Sequence, residues 1–304
     1  MNITFRQLRL FLALADTGSV SRAARACHVT QPTASMQLKE ISMSVGVPLY
    51  EVISKRVHLT DAGRDLAVTA KSIADDWAAF EQRVDATKGL TRGKLRVAVV
   101  STAKYFVPRL LGSFCAKYPE IDISLEVLNR DGVLRRLRDN QDDLYIMSMP
   151  PTDIDIEDQA FMPNPLVVIA ANAHPLVGRR RIELMDLGKL RFILRERGSG
   201  TRMAVDAHFK RLKFKPNLRL ELGSNEAIKE AVAGDLGVSV VSSHALHGQV
   251  AEHGVSVLDV TGFPIDSNWH VVRQKGKQLS PIAKVFQEHL LAQVGNYSLG
   301  GSDH

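Results

Sequence analysis

The first fifty residues contain three short segments in which apolar positions recur at helical spacing. Residues 5–16 predict a first helix, which Gly18 ends, and residues 19–27 predict a second helix with a face of small side chains. A third helix begins near Pro32, where a missing N–H group costs nothing, and continues toward Gly46. Because only a tight turn separates the second and third helices, the pattern predicts a helix-turn-helix.

The segment after the third helix, PLYEVISKRVHLT, alternates apolar and polar side chains and is rich in β-branched residues. This pattern predicts a small β-hairpin, or wing, with Lys55 and Arg56 near its centre. The pattern alone leaves two interpretations open. One is a winged helix-turn-helix that binds DNA, and the other is an ordinary three-helix bundle with a solvated basic face.

A heptad pattern follows the wing. Two ladders of apolar residues have a seven-residue spacing: Leu59, Leu66, Ile73, Phe80 and Ala70, Trp77, Val84. A helix of this length would be about 40 Å long, and such a stripe is typical of a helix that pairs with another helix. We expect a dimerisation helix at 61–88, and the alternative is a long helix that packs on its own domain.

Beyond a hinge predicted at 88–93, strand-like and helix-like segments alternate. LRVAVV is the first buried strand, and two successive sets of strands and helices lead to a closing amphipathic helix at 281–294. Alternation of this kind predicts mostly parallel α/β sheets, which bind ligands near the carboxyl ends of their strands. A small-molecule site is therefore expected in this part of the chain.

Composition and charge narrow the class of protein. The chain has 304 residues, 39 Lys and Arg, 33 Asp and Glu, and a net charge of +6. The first sixty residues hold seven basic and three acidic side chains, which permits a polyanionic partner. Two cysteines exclude a multi-cysteine zinc module, and no signal peptide or membrane span is visible. We expect a cytoplasmic protein without a metal site.

The usual catalytic motifs are absent from the sequence, including HExxH, GxSxG, the P-loop and a GxGxxG that follows a strand. We therefore expect neither an enzyme nor a required cofactor. A solute-binding protein without a DNA role is the competing class, although it would leave the first 88 residues unexplained.

The segments TFRQLRLFLALADTGSVSRAARACHVTQPTASMQLKEI, GVPLYEV and VHLTDAGRDL together resemble the N-terminal signature of LysR-type transcriptional regulators. The resemblance implies a winged helix-turn-helix DNA-binding domain at 1–60, a linker helix at 61–88 and an effector-binding domain at 89–304. That last domain would have the two-lobe α/β fold of periplasmic binding proteins, with lobe I at 93–162 and 269–296 and lobe II at 163–268. The resemblance also implies a homodimer or homotetramer that binds an interrupted inverted repeat in double-stranded promoter DNA and contacts RNA polymerase.

The candidate DNA-binding residues lie in the predicted helix-turn-helix and the wing. Polar side chains of a helix can exchange hydrogen bonds with base edges in the major groove, while arginine and lysine hold phosphates. Glu51–Ile53 stand where the family often has an arginine, so the expected wing contact moves to Lys55 and Arg56. The candidates are Arg22, Arg25, Gln31, Pro32, Thr33, Ser35, Gln37, Lys39, Lys55 and Arg56. For each of them a merely solvated role is the alternative.

Candidate effector-binding residues lie mainly at three strand-to-helix corners. The N–H groups and the partial positive charge of a helix N-terminus favour an anion, and Lys104 and Arg202 would add full charge. Simple helix capping is the alternative at every corner. The candidates are Ser101, Thr102, Lys104, Ser148, Gly200, Thr201, Arg202, Ser224 and Asn225.

Three segments, GVPLYEVISKRVHLTDAG, RERGSGTR and LGVSVVSSHAL, resemble in particular the branch of the LysR family that controls carbon-fixation (RuBisCO) operons. This resemblance implies an anionic effector such as a sugar phosphate (ribulose bisphosphate), phosphoenolpyruvate or NADPH. A regulator of another metabolic pathway is the alternative.

Overall fold

The computed structural model describes residues 2–53, 56–87, 93–246 and 254–292. These residues fold as two units, an N-terminal unit that ends at Val84 and a larger C-terminal unit. Lys55, nearly all of the predicted hinge at 88–93 and the predicted helix end at Val294 lie outside the described residues. Among the helices of the described ranges, none is both long enough and apolar enough to cross a membrane.

The N-terminal unit is built from helices and one hairpin. Its elements are α1 (Phe5–Thr17), α2 (Val20–Ala26), α3 (Gln31–Val45), β1 (Tyr50–Ile53), β2 (Arg56–Leu59) and α4 (Asp61–Thr87). The side chain of Thr4 caps α1, and Gly18 ends this helix with a φ of 61°. Phe11 and Leu38 are fully buried in the core that the first three helices share. The apolar periodicity of the sequence therefore corresponds to one small core.

The wing, formed by β1 and β2, is in close contact with the start of α4. Thr60 donates one hydrogen bond from its backbone N–H to the carbonyl oxygen of Leu49 at 3.1 Å. Its hydroxyl donates another to the carbonyl oxygen of Pro48 at 2.7 Å. A Cβ atom on Gly63 would lie 1.8 Å from the Leu49 carbonyl oxygen, so only glycine fits at this position.

The long helix α4 contains 27 residues and is about 40 Å long. Ala70 is fully buried, whereas Ile73, Trp77 and Phe80 are 41%, 51% and 48% exposed. The rings of Trp77 and Phe80 are in contact, with centroids 5.6 Å apart. Ile73, Trp77 and Phe80 form an exposed apolar stripe, which is the feature that the heptad pattern predicts.

The C-terminal unit contains two five-stranded sheets. The first consists of β3 (Gly93–Val100), β4 (Ile121–Leu128), β5 (Leu144–Met147), β6 (Ile156–Pro163) and β12 (Asn268–Gln274), in the order β4-β3-β5-β12-β6. The second consists of β7 (Leu166–Ala171), β8 (Arg191–Arg195), β9 (Asn217–Leu222), β10 (Val238–Ser242) and β11 (Val255–Leu258), in the order β11-β7-β10-β8-β9. We call the first sheet with its helices lobe I and the second lobe II.

Helices cover both faces of each sheet. They are α5 (Val107–Lys117), α6 (Arg130–Arg138) and α9 (Pro281–Ala292) in lobe I, and α7 (Gly200–Arg211) and α8 (Asn225–Ala233) in lobe II. On β3, Val97 and Val99 belong to the core with α5 and α9, while Ala98 between them belongs to the core with α6. Successive side chains of a strand point to opposite faces, so an uninterrupted apolar strand such as LRVAVV fills two cores.

The prediction of mostly parallel sheets is wrong. In each five-stranded sheet, two strand pairs are parallel and two are antiparallel. The antiparallel pairs involve β6, β7, β11 and β12, the strands next to the places where the chain passes between the lobes. None of these antiparallel pairs joins two consecutive strands through a helix, which is the connection that gives parallel neighbours such as β3–β4 and β8–β9.

Two neighbouring crossings connect the lobes. Backbone hydrogen bonds join them: the N–H of Asn164 donates to the carbonyl oxygen of Ser267 at 2.8 Å. The N–H of Leu166 donates to the carbonyl oxygen of Ile265 at 3.0 Å, and the N–H of Ile265 donates back at 2.9 Å. We call this paired segment the crossing ribbon.

Candidate functional site

The N-terminal half of α3 presents an exposed polar face. Ala34, Leu38 and Ile41 are its buried positions. On the opposite side, Gln31, Ser35 and Lys39 are exposed, and Pro32 is exposed at the first turn. Residues four positions apart lie on one face of a helix, so these three polar side chains form a single stripe. Such a stripe has the size and polarity that a major groove admits.

Two predicted residues of α3 lie partly buried beside this stripe. The hydroxyls of Thr33 and Thr30 are 2.8 Å apart, and the Thr30 side chain caps the helix by accepting a hydrogen bond from the Thr33 N–H. Gln37 is half-buried, and its Oε1 atom has no hydrogen-bond partner. The hydroxyl of Thr33 therefore pairs with that of the capping residue, Thr30.

The predicted basic residues of this unit are exposed. Arg22 and Arg25 lie on α2, and the guanidinium of Arg22 donates a hydrogen bond to the carbonyl oxygen of Thr17. Arg56 begins β2 and is exposed on the wing. Lys55, the other wing candidate, lies outside the described residues. None of the ion pairs within the described ranges includes Arg22, Arg25 or Arg56, which leaves their charge available for phosphates.

In the C-terminal unit, Arg195 at the end of β8 joins side chains from both lobes and is only 3% exposed. Its Nη1 donates to Thr102 Oγ1 at 3.2 Å and to Asn225 Oδ1 at 3.1 Å. Its Nη2 donates to Ser101 Oγ at 3.4 Å. Glu196 accepts two further hydrogen bonds at 2.8 and 2.9 Å, so the charge of this guanidinium is balanced within lobe II.

A narrow cavity lies between the lobes beside Arg195, and its free volume of about 10 Å³ is room for about one water molecule. It brings together five predicted residues, Ser101, Thr102, Ser148, Gly200 and Thr201. A Cβ atom on Gly200 would lie 2.6 Å from Ser148 Oγ, so glycine at this position allows the lobes to come close. We call this cavity the effector cleft.

Lys104 and Ser224 do not line the cleft. Lys104 Nζ lies 3.0 Å from a carboxylate oxygen of Glu226, and the Tyr105 hydroxyl donates to Glu226 Oε1 at 2.5 Å. Ser224 donates to Glu226 Oε2 at 2.7 Å and caps α8. Lys104 and Tyr105 belong to lobe I and Glu226 belongs to lobe II. These three side chains form an interlobe latch.

The latch shifts the titration of its own groups. Burial acts to raise the pKa of Glu226, but hydrogen bonds from Tyr105, Ser224 and Lys104 outweigh it and lower the pKa to about 2. Burial and the hydrogen bond to Glu226 raise the pKa of Tyr105. The latch therefore holds an ionised carboxylate and a neutral phenol at neutral pH.

The expectation that Arg202 adds charge to the ligand site is wrong. Its guanidinium is buried, with Nε 2.9 Å from Asp206 and Nη1 2.9 Å from Glu221, and Nη1 also donates to the carbonyl oxygen of Arg195 at 2.8 Å. Its backbone N–H donates to the Ser199 cap. Two carboxylates already balance this charge, so Arg202 fixes the corner rather than facing a ligand.

The cleft residues that were not predicted include Arg130, Arg195 and Trp269. Arg130 begins α6 in a run of mixed charge, which is typical of a solvated helix. Trp269 resembles an ordinary core residue of a strand. An arginine at the end of an apolar strand, RFILR, is the one signal that could have indicated Arg195, because a buried charge there needs partners.

Family models account for both units. Residues 5–64 match the model described as bacterial regulatory helix-turn-helix protein, lysR family, and residues 88–295 match the LysR substrate binding domain. The chain belongs to the LysR family. The resemblance seen in the N-terminal segments is thereby confirmed, as is the predicted architecture of this LysR-type protein.

Relatives of nearly equal length are regulators. This LysR-type chain is 45% identical over 291 residues to the HTH-type transcriptional activator CmpR of Synechocystis sp. (strain ATCC 27184 / PCC 6803 / Kazusa). The similarity covers 96% of this chain and 96% of the relative. It is 43% identical over 299 residues to a RuBisCO operon transcriptional regulator of Acidithiobacillus ferrooxidans, covering 98% of this chain and 97% of the relative. The LysR-type protein is a transcriptional regulator rather than an enzyme.

Two solved structures are similar to this LysR-type regulator. The regulatory domain of Synechocystis PCC6803 CcmR in complex with 2-PG (2-phosphoglycolate) matches with a TM-score of 0.65 and 50% identity, covering 67% of this chain and 99% of that chain. Full-length CbnR complexed with its target DNA matches with a TM-score of 0.66 and 24% identity, covering 95% of this chain and 99% of that chain. The second similarity concerns the fold.

Proposed function

We propose that this regulator controls carbon-fixation genes in the cytoplasm and that a small phosphorylated carboxylate in the effector cleft switches it. The observation that carries the proposal is the position of Arg195, which binds hydroxyl and amide groups of both lobes beside a donor-rich cavity. The relatives named as RuBisCO operon regulators and the CcmR complex with 2-phosphoglycolate support the choice of pathway and ligand.

For DNA recognition, the stripe of Gln31, Ser35 and Lys39 enters the major groove, and the basic residues of α2 and the wing hold phosphates. The apolar stripe of α4 pairs two chains, because exposed aromatic side chains on a long helix are stabilised by a second copy. A two-fold dimer fits an interrupted inverted repeat. Dimers then associate into tetramers at the promoter, where they contact RNA polymerase.

For the response, the effector has to widen a cleft whose free volume holds about one water molecule. A phosphorylated carboxylate has more atoms than that, so its binding separates Thr102 from Arg195 and changes the angle between the lobes. A ligand that prefers the wider arrangement shifts the equilibrium between two assemblies of the regulator.

Footprinting tests the proposal. The purified full-length regulator is placed on DNA upstream of its own gene and of the divergent neighbour, on carbon-fixation promoters and on promoters of other pathways, at a fixed salt concentration of about 100 mM. The ligands are 2-phosphoglycolate, ribulose bisphosphate, phosphoenolpyruvate and NADPH, each added separately. We expect a discrete protected region whose pattern changes with 2-phosphoglycolate or phosphoenolpyruvate, the two ligands that carry both a phosphate and a carboxylate.

Two other outcomes would each contradict a different part of the proposal. Protection that none of the four ligands changes would contradict the effector class and leave the DNA role in place. No protection on carbon-fixation promoters, with protection elsewhere in the genome, would indicate a regulator of another pathway.

A further inference from the structure

Two residues that line the effector cleft each have a buried donor atom without a hydrogen-bond partner. These atoms are Nε of Arg130 and Nε1 of Trp269, and Trp269 is 1% exposed. They come from opposite ends of lobe I in the sequence, at the start of α6 and on β12. A buried N–H group without an acceptor destabilises the protein, so two at one cavity need a physical reason.

The charge of Arg130 is compensated only at a distance, by the carboxylates of Asp131 and Asp153. The cleft is lined by Arg130 and Arg195 and, within the part of the chain that the structure describes, by no carboxylate. Arg195 is paired with Glu196, whereas no ion pair among the described residues includes Arg130. The guanidinium of Arg130 donates from Nη2 to the carbonyl oxygen of Met149 at 3.1 Å. Burial lowers the pKa of Arg130, although the charge of Asp131 partly offsets that effect.

These observations divide the polar residues at the cleft into two groups. Arg195 and Thr102, together with Asn225, already satisfy one another. Arg130 and Trp269, which line the same cleft, have two unused N–H donors and one positive charge without an ion-pair partner among the described residues. A ligand oxygen that carries negative charge would supply both the acceptor and the counter-charge that this second group lacks.

We propose that Arg130 and Trp269 form a second anion subsite, which makes the cleft select ligands with two anionic groups over ligands with one. The inference rests on the proposed function, because it assumes that the effector occupies this cleft. It adds a chemical rule for the effector: a phosphate and a carboxylate, or two phosphates, on one small molecule. Arg130 supplies the selectivity, and Trp269 orients the anionic group through its indole N–H.

The experiment is calorimetric titration of the full-length regulator with three probes: 2-phosphoglycolate, glycolate and inorganic phosphate. The variants are Arg130→Gln, Arg130→Lys and a matched control, Arg135→Gln. Arg135 lies on the same helix and is exposed, so the control removes the same charge from the same element without touching the cleft.

The unaltered protein should prefer 2-phosphoglycolate to either single-anion probe. Arg130→Gln should weaken 2-phosphoglycolate binding by about 30-fold or more, as expected when one partner of a desolvated charge pair is removed. Its affinity for 2-phosphoglycolate should then approach that for the better of the two single-anion probes. Arg130→Lys should keep part of the preference, and Arg135→Gln should keep all of it.

Thermal unfolding of the unliganded variants distinguishes a role of Arg130 in ligand selection from a role in supporting the fold. Arg130 is only partly buried, and among the described residues its guanidinium forms one hydrogen bond, to Met149, so Arg130→Gln should change Tm little. A lower Tm for Arg130→Gln, with equal loss of binding for all three probes, would show that Arg130 only supports the fold and would overturn the inference.

Two further results would also overturn it, and they are distinguishable. If the unaltered protein prefers 2-phosphoglycolate and Arg130→Gln keeps that preference, the second subsite is wrong while the effector class stands. If the unaltered protein binds none of the three probes, the proposed effector class fails and the second subsite fails with it.

Discussion

Arg195 donates a hydrogen bond to Thr102 across the two lobes, although 93 positions separate them in the sequence. Thr102 is 4% exposed and its Oγ1 also accepts a hydrogen bond from Asn225 Nδ2 at 3.1 Å. One hydroxyl of lobe I therefore satisfies two donors of lobe II. This oxygen atom is therefore a shared acceptor in the contact between the lobes, beside the interlobe latch and the hydrogen bond from Arg195 to Ser101.

Replacing that oxygen should uncouple the response from DNA binding. Thr102→Val keeps the shape of the side chain but leaves donors of Arg195 and Asn225 unsatisfied, which costs about 1–3 kcal/mol of unfolding free energy. Thr102 lines the effector cleft, and valine cannot hydrogen-bond the effector there, so we expect effector affinity to fall by about tenfold or more and promoter affinity to stay unchanged. Titration calorimetry and gel-shift assays measure the two effects. Thr261→Val, at an exposed threonine of lobe II, is the control. Equal loss of both activities would contradict separate modules.

The interlobe latch predicts a pH dependence. The folded-state pKa of Glu226 is about 2, below its ordinary value of 4.5. A lowered carboxylate pKa contributes stability that is fully present above the unfolded pKa and is lost as the pH falls toward the folded pKa. The difference in urea stability between the unaltered protein and Glu226→Gln should therefore be constant above about pH 5 and shrink between about pH 5 and 2. A difference that does not change with pH would show that the carboxylate charge has no part in it.

The contact between Gly63 and Leu49 predicts an intolerant position. Gly63→Ala forces α4 and the wing apart and should reduce the unfolding free energy by about 1–3 kcal/mol, together with DNA affinity. Gly112→Ala is the matched control, because a Cβ atom on this helical glycine meets nothing within 4 Å. The control should be neutral or stabilising by about 0.4–1 kcal/mol. Circular-dichroism melting compares the two, and equal melting temperatures would refute the contact.

The apolar stripe of α4 predicts the oligomeric state. Ile73→Glu places a charge in the stripe and should weaken self-association by about tenfold or more, since burying an unpaired charge is unfavourable. Sedimentation velocity at several protein concentrations measures the change. Ser72→Glu, on an exposed neighbouring position, controls for the added charge. If Ile73→Glu self-associates as strongly as Ser72→Glu, the dimer interface does not include the apolar stripe of α4.

The division of the DNA surface into reading and anchoring residues is also testable. Gln31→Ala should reduce the preference for the operator over random DNA, by about 1–3 kcal/mol, because a base contact is lost. Arg56→Ala should weaken both kinds of DNA alike and make the slope of log affinity against log salt shallower by about 1 per site. Fluorescence anisotropy at several salt concentrations checks both. Uniform weakening by Gln31→Ala would mean that this residue does not read sequence.

The sequence was sufficient for the features that depend on local periodicity. The spacing of apolar residues predicts the three N-terminal helices, the wing and the stripe of α4. Gly18 and Pro32 mark helix ends through their own backbone preferences. Strand direction was not predictable in the same way. The direction of a strand depends on whether the chain enters it after crossing between the lobes, and no periodic pattern in the sequence marks those crossings.

The effector cleft was only half predictable. Ser101, Thr102 and Thr201 follow strands or begin helices, so hydroxyls at those corners could be recognised. Arg130 and Trp269 reach the same cavity only because the chain returns to lobe I after building lobe II. No spacing in the sequence relates them, since their proximity is a tertiary effect.

The crossing ribbon restricts how the regulator can respond. Two independent single-chain links would let the lobes twist and slide, but backbone hydrogen bonds between Leu166 and Ile265 tie the links side by side. Sliding one link past the other would break these hydrogen bonds, whereas bending both links together keeps them. We therefore expect an effector to change the angle between the lobes by bending the crossing ribbon as one unit, without sliding one lobe along the other.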